Sequence, residues 1–423
     1  MNHFRKACLA VAAVGLCVLL AGLALNNHPL WQPAAICTAV GLAMGMGAVP
    51  SAKGYQFTAW IVAAVSVAMI YPAAFLQWGN FDLRGKWVIL LVVQMVMFGM
   101  GTQMSLRDFG GVVKAPRGVL VGIVCHFSVM PLVGFGLTRL FHFPNEIAAG
   151  VILIGSCSSG LASNVMAYLA RANLALSVTV TALTTLVAPF LTPLLMKLLA
   201  GTLVEVNFLS MMTDIIKIVI VPIGAALLHD YLKHASAQSR RRVLMMAATS
   251  AVVLALLASG GWDWIVGNFS ENTRLMLSLP VFLMGAVIVG TVYHGLTLHL
   301  PRLDKLMPVA SMAGIVYFTT VTTAAGRDYL LQVGALLFVA AVIHNAAGYF
   351  FGYWLSRASG LDKNSARSVA FEVGLQNGGM ATGLANGMGK LATLGLAAAI
   401  FSPWMNISGS ILANYWKRKP AQS

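Results

Sequence analysis

The chain has 423 residues and a net charge of +15, yet only 9% of its residues are charged and 59% are hydrophobic, with a mean hydropathy of +0.82. A soluble domain carries about 25% charged residues, so this composition excludes a water-soluble globular protein and indicates an integral membrane protein. The Lys and Arg fall in short clusters between apolar runs rather than in a stripe, as membrane-flanking cations do, which argues against a nucleic-acid partner.

A helix needs roughly 20 apolar residues to cross a hydrocarbon core of about 30 Å, and the sequence offers fourteen such runs. In chain order they cover 7–26, 34–50, 57–76, 87–105, 117–140, 147–169, 175–199, 207–231, 243–267, 275–298, 306–325, 330–358, 366–388 and 391–415. The first follows Arg5 and Lys6 and shares features of a signal peptide, but no small-x-small cleavage site is convincing, so an uncleaved helix is expected. Segments of about 10 residues with alternating polarity, the mark of a membrane barrel, are absent. The longest polar loop, His229 to Arg242, is too short to bury a core of its own. The expected fold class is therefore an all-α membrane protein. Cys8, Cys17, Cys37, Cys125 and Cys157 all lie in apolar runs with no CxxC pair, which indicates neither a disulfide framework nor a zinc site.

The N-terminus and every second loop thereafter hold 19 of the 27 Lys and Arg, the opposite loops hold 7, and Lys217 lies inside a span. Both termini are expected in the cytoplasm. At a shift of 218 residues the chain matches itself without a gap: His126 meets His344, Gly134 meets Gly352, Leu137 meets Leu355, Arg139 meets Arg357 and Gly160 meets Gly378. Seven spans separate the copies. An odd number places them in opposite orientations, an inverted repeat of the kind many secondary transporters use. The later matching spans, 147–169 and 366–388, are both interrupted at mid-depth, by "GSCSSGLASN" (Gly155 to Asn164) and "EVGLQNGG" (Glu372 to Gly379). Glycine weakens a helix, and Ser or Asn offers its backbone competing hydrogen bonds. Two broken helices in corresponding halves point to a binding site between them. Glu372 is one of very few acids deep in a span, where a charge costs at least about 2.5–3.5 kcal/mol. It must be protonated, paired with a cation such as Arg367, or neutralised by a bound ion.

The stretches Gly155–Pro193, "VIHNAAGYFFGYW" (Val342 to Trp354), "EVGLQNGG" and "WMNISGSILANYW" (Trp404 to Trp416) resemble the bile acid/sodium symporter family, particularly its bacterial members. The resemblance runs from about Val62 to the C-terminus, apart from roughly 235–302. It implies a bacterial inner-membrane protein with inverted five-helix repeats, two crossing discontinuous helices, and core and panel domains. Against that plan the chain divides into an extra N-terminal hairpin (1–55), the first repeat and start of the second (56–234), an inserted hairpin (235–302) and the remainder of the second repeat (303–423). The resemblance also implies sodium as the coupled ion. A first site would comprise Ser163, Asn164, Ser177, Thr181 and Glu372, an oxygen set suited to a hard cation. A second would use Glu372 again, Gln376 and the backbone carbonyls of Val373 and Leu375. The family completes that site with a glutamine where this chain has His126, so either a proton on His126 replaces the second sodium or the ring binds no ion. Asn377 and Asn406 would face a small organic anion, favoured by the free N–H groups of helix N-termini at the crossover. Leu161 and Met405 stand where the family usually has a threonine and a histidine. A bile-acid-like, keto-acid or pantothenate-like carboxylate all remain open as substrate.

Other readings are an arsenite exporter of the same architecture, which would use a cysteine where this chain has Cys157, and a proton-coupled anion transporter. No HExxH, GxSxG or paired catalytic aspartates are present, so an enzyme is not expected.

Overall fold

The computed structural model describes residues 2–49, 55–110 and 115–419. The loop cations Lys53 and Lys114 and the last four residues lie outside them. Each of the fourteen predicted spans is helical: α1 (Asn2–Ala24), α2 (His28–Gly45), α3 (Gln56–Ile70), α4 (Lys86–Gly101), α5 (Pro116–Phe141), the broken pair α6 (Asn145–Ser156) and α7 (Ala162–Leu169), α8 (Leu174–Ala200), α9 (Phe208–His234), α10 (Ala237–Asn268), α11 (Glu271–His299), α12 (Arg302–Ala325), α13 (Arg327–Ala358), the broken pair α14 (Lys363–Gly374) and α15 (Gly378–Gly387), and α16 (Leu396–Arg418). Among the described residues ten helices are long and apolar enough to cross a membrane, and the chain is an all-α, multi-pass membrane protein.

Two spans end earlier than the sequence suggests. α3 stops at Ile70 because Pro72 disfavours helical backbone at Tyr71. The chain then makes a small hairpin, β1 (Gln77–Trp78) against β2 (Phe81–Asp82), before α4 begins, and α4 itself ends at Gly101. Neither departure moves the interior of a span.

The helices pack in two groups. α5, α6, α8, α13, α14 and α16 surround the two breaks, while α3, α4, α9 and α12 pack on one another beside them. Four further helices pack at the side of the second group. α1 and α2 pack together and reach α3, and α11 lies on α9. Outward residues such as Val14, Leu23 and Leu256 are exposed, as lipid-facing side chains are in a membrane helix.

α14, which carries Glu372, begins at a capped terminus. Asp362 accepts hydrogen bonds from the N–H groups of Asn364 (2.8 Å) and Ser365 (3.0 Å), two of the donors a helix start leaves unpaired. Burial opposes ionisation of Asp362, but the bonds from Ser365 and Asn364 outweigh it and hold the carboxyl below the usual carboxylate range. A depressed folded value means that the stabilisation is complete above the unfolded pKa and fades as pH falls through the folded one. Asp362→Ala should cost about 0.5–2 kcal/mol, read as a lower thermal midpoint whose difference from wild type narrows on acidification.

Candidate functional site

The two helix breaks meet. After Ser156 the backbone turns extended at Cys157, and after Gly374 it does so at Leu375. The two non-helical stretches run antiparallel, with Ser159 opposite Gln376. The Gly160 N–H donates to the Leu375 carbonyl at 3.0 Å, and the Asn377 N–H donates to the Ser158 carbonyl at 2.9 Å. Backbone groups released by unwinding are thus satisfied across the crossing, as a buried chain requires. A side chain at position 160 would place its Cβ 2.8 Å from the Gln376 carbonyl oxygen, so this approach needs glycine.

On one side of the crossing lies a buried cluster of oxygens. Glu372 is 0% exposed. One carboxylate oxygen accepts from the Ser177 hydroxyl, and the other accepts from Thr181 at 2.8 Å. The Asn164 side-chain oxygen lies 2.9 Å from the Ser177 hydroxyl and 3.2 Å from that of Thr181. Ser163 donates to the Gly160 carbonyl at 2.8 Å and sits 3.3 Å from Thr181. The five residues singled out in the sequence, drawn from α7, α8 and α14, therefore converge. Ser177 and Thr181 reach the same carboxylate because their i, i+4 spacing puts them on one helix face. Sequence reasoning missed Ser159, whose hydroxyl lies 3.3 Å from both the Ser163 hydroxyl and the Leu375 carbonyl. Its place in the "SCSS" run was the available signal. Arg367 does not pair with Glu372: it donates to the Lys419 carbonyl at 2.7 Å and lies over the Trp416 ring.

The remaining predicted ligands are arranged differently. The His126 ring lies between two carbonyls, with Nδ1 2.8 Å from the backbone oxygen of Glu372 and Nε2 2.8 Å from that of Cys157. It reaches the backbone of Glu372 and not its carboxylate, and neither ring nitrogen has a lone pair directed into free space. A neutral ring has one N–H for these two acceptors. The Val373 carbonyl accepts from Gln376 Nε2 at 2.8 Å, and the Leu375 carbonyl is taken by Gly160. Gln376 Oε1 is buried and has no hydrogen-bond partner among the described residues.

On the other side of the crossing is a cavity of about 320 Å³, with Asn377 and Asn406 in its wall beside Leu161 and Met405. Asn377 caps α15, its side-chain oxygen accepting from the Met380 N–H at 3.0 Å, and Asn406 donates to the Ser402 carbonyl at 2.8 Å. The Ser402 hydroxyl, buried and without a partner among the described residues, lies against Gly378 in the first turn of α15. Among the described residues no Lys or Arg lines the cavity. Its polar lining comes from amides, the hydroxyl residues Thr58, Ser311, Ser402 and Ser410, and the N-terminal turn of α15, where the helix dipole favours negative charge. Cys157 is fully buried and does not line it, so its thiol meets no group held in this cavity. The lining also includes Phe57 in the first turn of α3, Pro308 in the second turn of α12, Gln103 just beyond α4 and Ser410 of α16.

Comparison with known proteins places the chain in one family of transporters. Residues 89–268 match the model of the Sodium Bile acid symporter family. The chain is 32% identical over 367 residues, 86% of its length and 92% of the relative's, to an uncharacterized sodium-dependent transporter, YocS, of Bacillus subtilis (strain 168). It is 30% identical over 364 residues, 86% of its length and 73% of the relative's, to a probable chloroplastic sodium/metabolite cotransporter, BASS1, of Oryza sativa subsp. japonica. Against the ileal sodium/bile acid cotransporter of Homo sapiens the identity is 26% over 295 residues, 69% of this chain and 66% of that one. These relatives are transporters and not enzymes. With its motifs in the same order along nearly the whole chain, this protein belongs to the sodium bile acid symporter family.

Proposed function

We propose that the protein is a sodium-coupled symporter of a small organic anion, working by alternating access. The observation that carries this reading is the convergence of Ser163, Asn164, Ser177 and Thr181 on the carboxylate of Glu372, all oxygen donors to a cation, with every one buried but Asn164, which is partly so. A dehydrated hard cation is matched by such a set, and its charge offsets the cost of keeping an ionised acid at that depth. Gln376 Oε1, buried without a partner, is a further oxygen of the same type beside the crossing. The names of relatives, a sodium-dependent transporter and sodium/metabolite and sodium/bile acid cotransporters, support sodium as the ion.

The anion would sit in the cavity beside Asn377 and Asn406. A cavity of about 320 Å³ whose wall bears a leucine at 161 and a methionine at 405 favours a compact, largely apolar monocarboxylate. The two broken helices belong to the inverted repeats, α1–α2 and α10–α11 are additions outside the transport machinery, and the host is a bacterial inner membrane with both termini in the cytoplasm. A reporter fused after Ser423 should therefore read cytoplasmic; an external reading overturns the span count and the repeat together.

The decisive experiment is a thermal-stability screen of organic anions with and without sodium, followed by uptake into liposomes. A stabilising anion whose uphill accumulation requires a sodium gradient supports the proposal. Downhill flux without accumulation would indicate a channel, and sodium-independent accumulation driven by a proton gradient would indicate proton coupling.

A further inference from the structure

Between the oxygen cluster and the cavity wall runs a second polar chain, in residues that neither site uses. Asn345 of α13 is 1% exposed, and both ends of its amide are engaged. Its Nδ2 donates to the Gly374 carbonyl at 2.8 Å, and its Oδ1 accepts from the Ser408 hydroxyl at 2.5 Å. Gly374 is the last residue of α14, two positions after Glu372, and its carbonyl is one of those a helix end leaves unpaired. Ser408 belongs to α16, two and three positions beyond Asn406 and Met405, which line the cavity. Tyr349, one turn along α13 from Asn345, brings its hydroxyl to 3.2 Å from Ser408 Oγ and 3.4 Å from the Met405 carbonyl, while its ring meets Phe371 edge-on. Here α13 and α14 touch backbone to backbone: a Cβ added at Gly348 would stand 2.8 Å from Gly374 Cα.

We infer that Asn345 and Ser408, steadied by Tyr349, are the positioning residues that couple the cation site to the wall of the substrate cavity. The inference rests on the sodium reading above. A planar amide holds its donor and acceptor in fixed relation, so a displacement of the Gly374 carbonyl on one side is passed to the Ser408 hydroxyl on the other. Buried in a medium of low dielectric, such bonds are strong and costly to leave unmade. Rearrangement of the break as Glu372 takes its cation therefore moves α16 rather than breaking the chain. Neither residue lines the cavity or belongs to the oxygen cluster. What they transmit is geometry, which makes binding in one site visible in the other, the reciprocal linkage that defines coupling.

The test uses sodium alone, on the purified full-length protein, with hydrogen–deuterium exchange followed in peptides covering the α14 break (about residues 369–380) and α16 (about residues 402–414). In wild type, replacing N-methylglucamine by sodium should slow exchange in both. Ser408→Ala should keep the response at the break and lose it in α16, and Ser408→Thr, which restores a hydroxyl, should regain it. Asn345→Leu should behave as Ser408→Ala does; should it fail to fold, the serine pair decides the question. An α16 response that survives in Ser408→Ala, or one absent from wild type while the break responds, overturns the inference and leaves the sodium reading intact. Absence of any sodium response at the break in wild type strikes the sodium reading itself.

Discussion

Replacing Glu372 by glutamine should abolish binding of radiolabelled sodium to the purified protein while leaving it folded. The amide keeps the volume and can still meet Ser177 and Thr181, whose hydroxyls now reach the two carboxylate oxygens. What it lacks is the charge. Loss of one partner from a buried, fully desolvated ion contact costs about 3–5 kcal/mol, which corresponds to at least about a hundredfold weaker binding. Ser177→Ala and Thr181→Ala each remove a single oxygen and should raise the sodium concentration for half-saturation without eliminating binding. Unchanged sodium affinity in all three variants would refute the assignment of this cluster.

The second large effect concerns stoichiometry. His126 spans the Glu372 and Cys157 carbonyls with both ring nitrogens, so it offers no free lone pair to a cation. Wild type should bind one sodium per chain, with a Hill coefficient near one. In His126→Gln the amide nitrogen can still donate to the Glu372 or Cys157 carbonyl while its oxygen supplies the ligand that the ring cannot; binding should approach two sodium ions with a Hill coefficient above one. A wild-type stoichiometry of two, unmoved by the substitution, would show that the ring has no bearing on ion number. The distinction reaches energetics. A monoanion carried with one sodium is electroneutral, whereas a second cation adds about 2.3 kcal/mol of driving force per 100 mV.

Much of this was legible in the sequence because its signals are local. The breaks announce themselves through "GSCSSGLASN" and "EVGLQNGG", where residues that weaken helices interrupt apolar runs, and the i, i+4 pair Ser177 and Thr181 reports its own face. The hydrogen bonds of those two residues to Glu372 confirm that they share a surface with it. What local patterns cannot carry is pairing at long range. Nothing in the sequence says that Gly160 meets Leu375, that Ser159 joins the oxygen cluster, or that Asn345 stands between Gly374 and Ser408. His126 illustrates the same limit from the other side. Its alignment with a cation-ligand position was readable, whereas the two carbonyls that occupy its nitrogens come from helices 31 and 246 positions away. The early end of α3 is a different case: Pro72 was in view, but hydropathy averaged over a window conceals a single breaker.

The crossing has a mechanical corollary. Because the two interrupted helices are stitched by backbone bonds at Gly160 and Asn377, they cannot slide past each other without breaking a ladder of paired amides. In the alternating-access cycle proposed above they would travel as one piece, carrying the Glu372 cluster and the Asn377 side of the cavity through the same displacement. The surface of slip then has to run along the cavity's other wall, where α4 and α12 present Met97, Met100 and Met312 and where Asn377 reaches only a thioether, Met97 Sδ, at 3.9 Å. Unbranched, polarizable methionines can repack at successive offsets without a directional bond to rupture. Slip along that seam would repack thioethers at little cost but would have to break the bond from Asn386 Nδ2 to the Lys86 carbonyl, 3.2 Å, which ties the end of α15 to the start of α4.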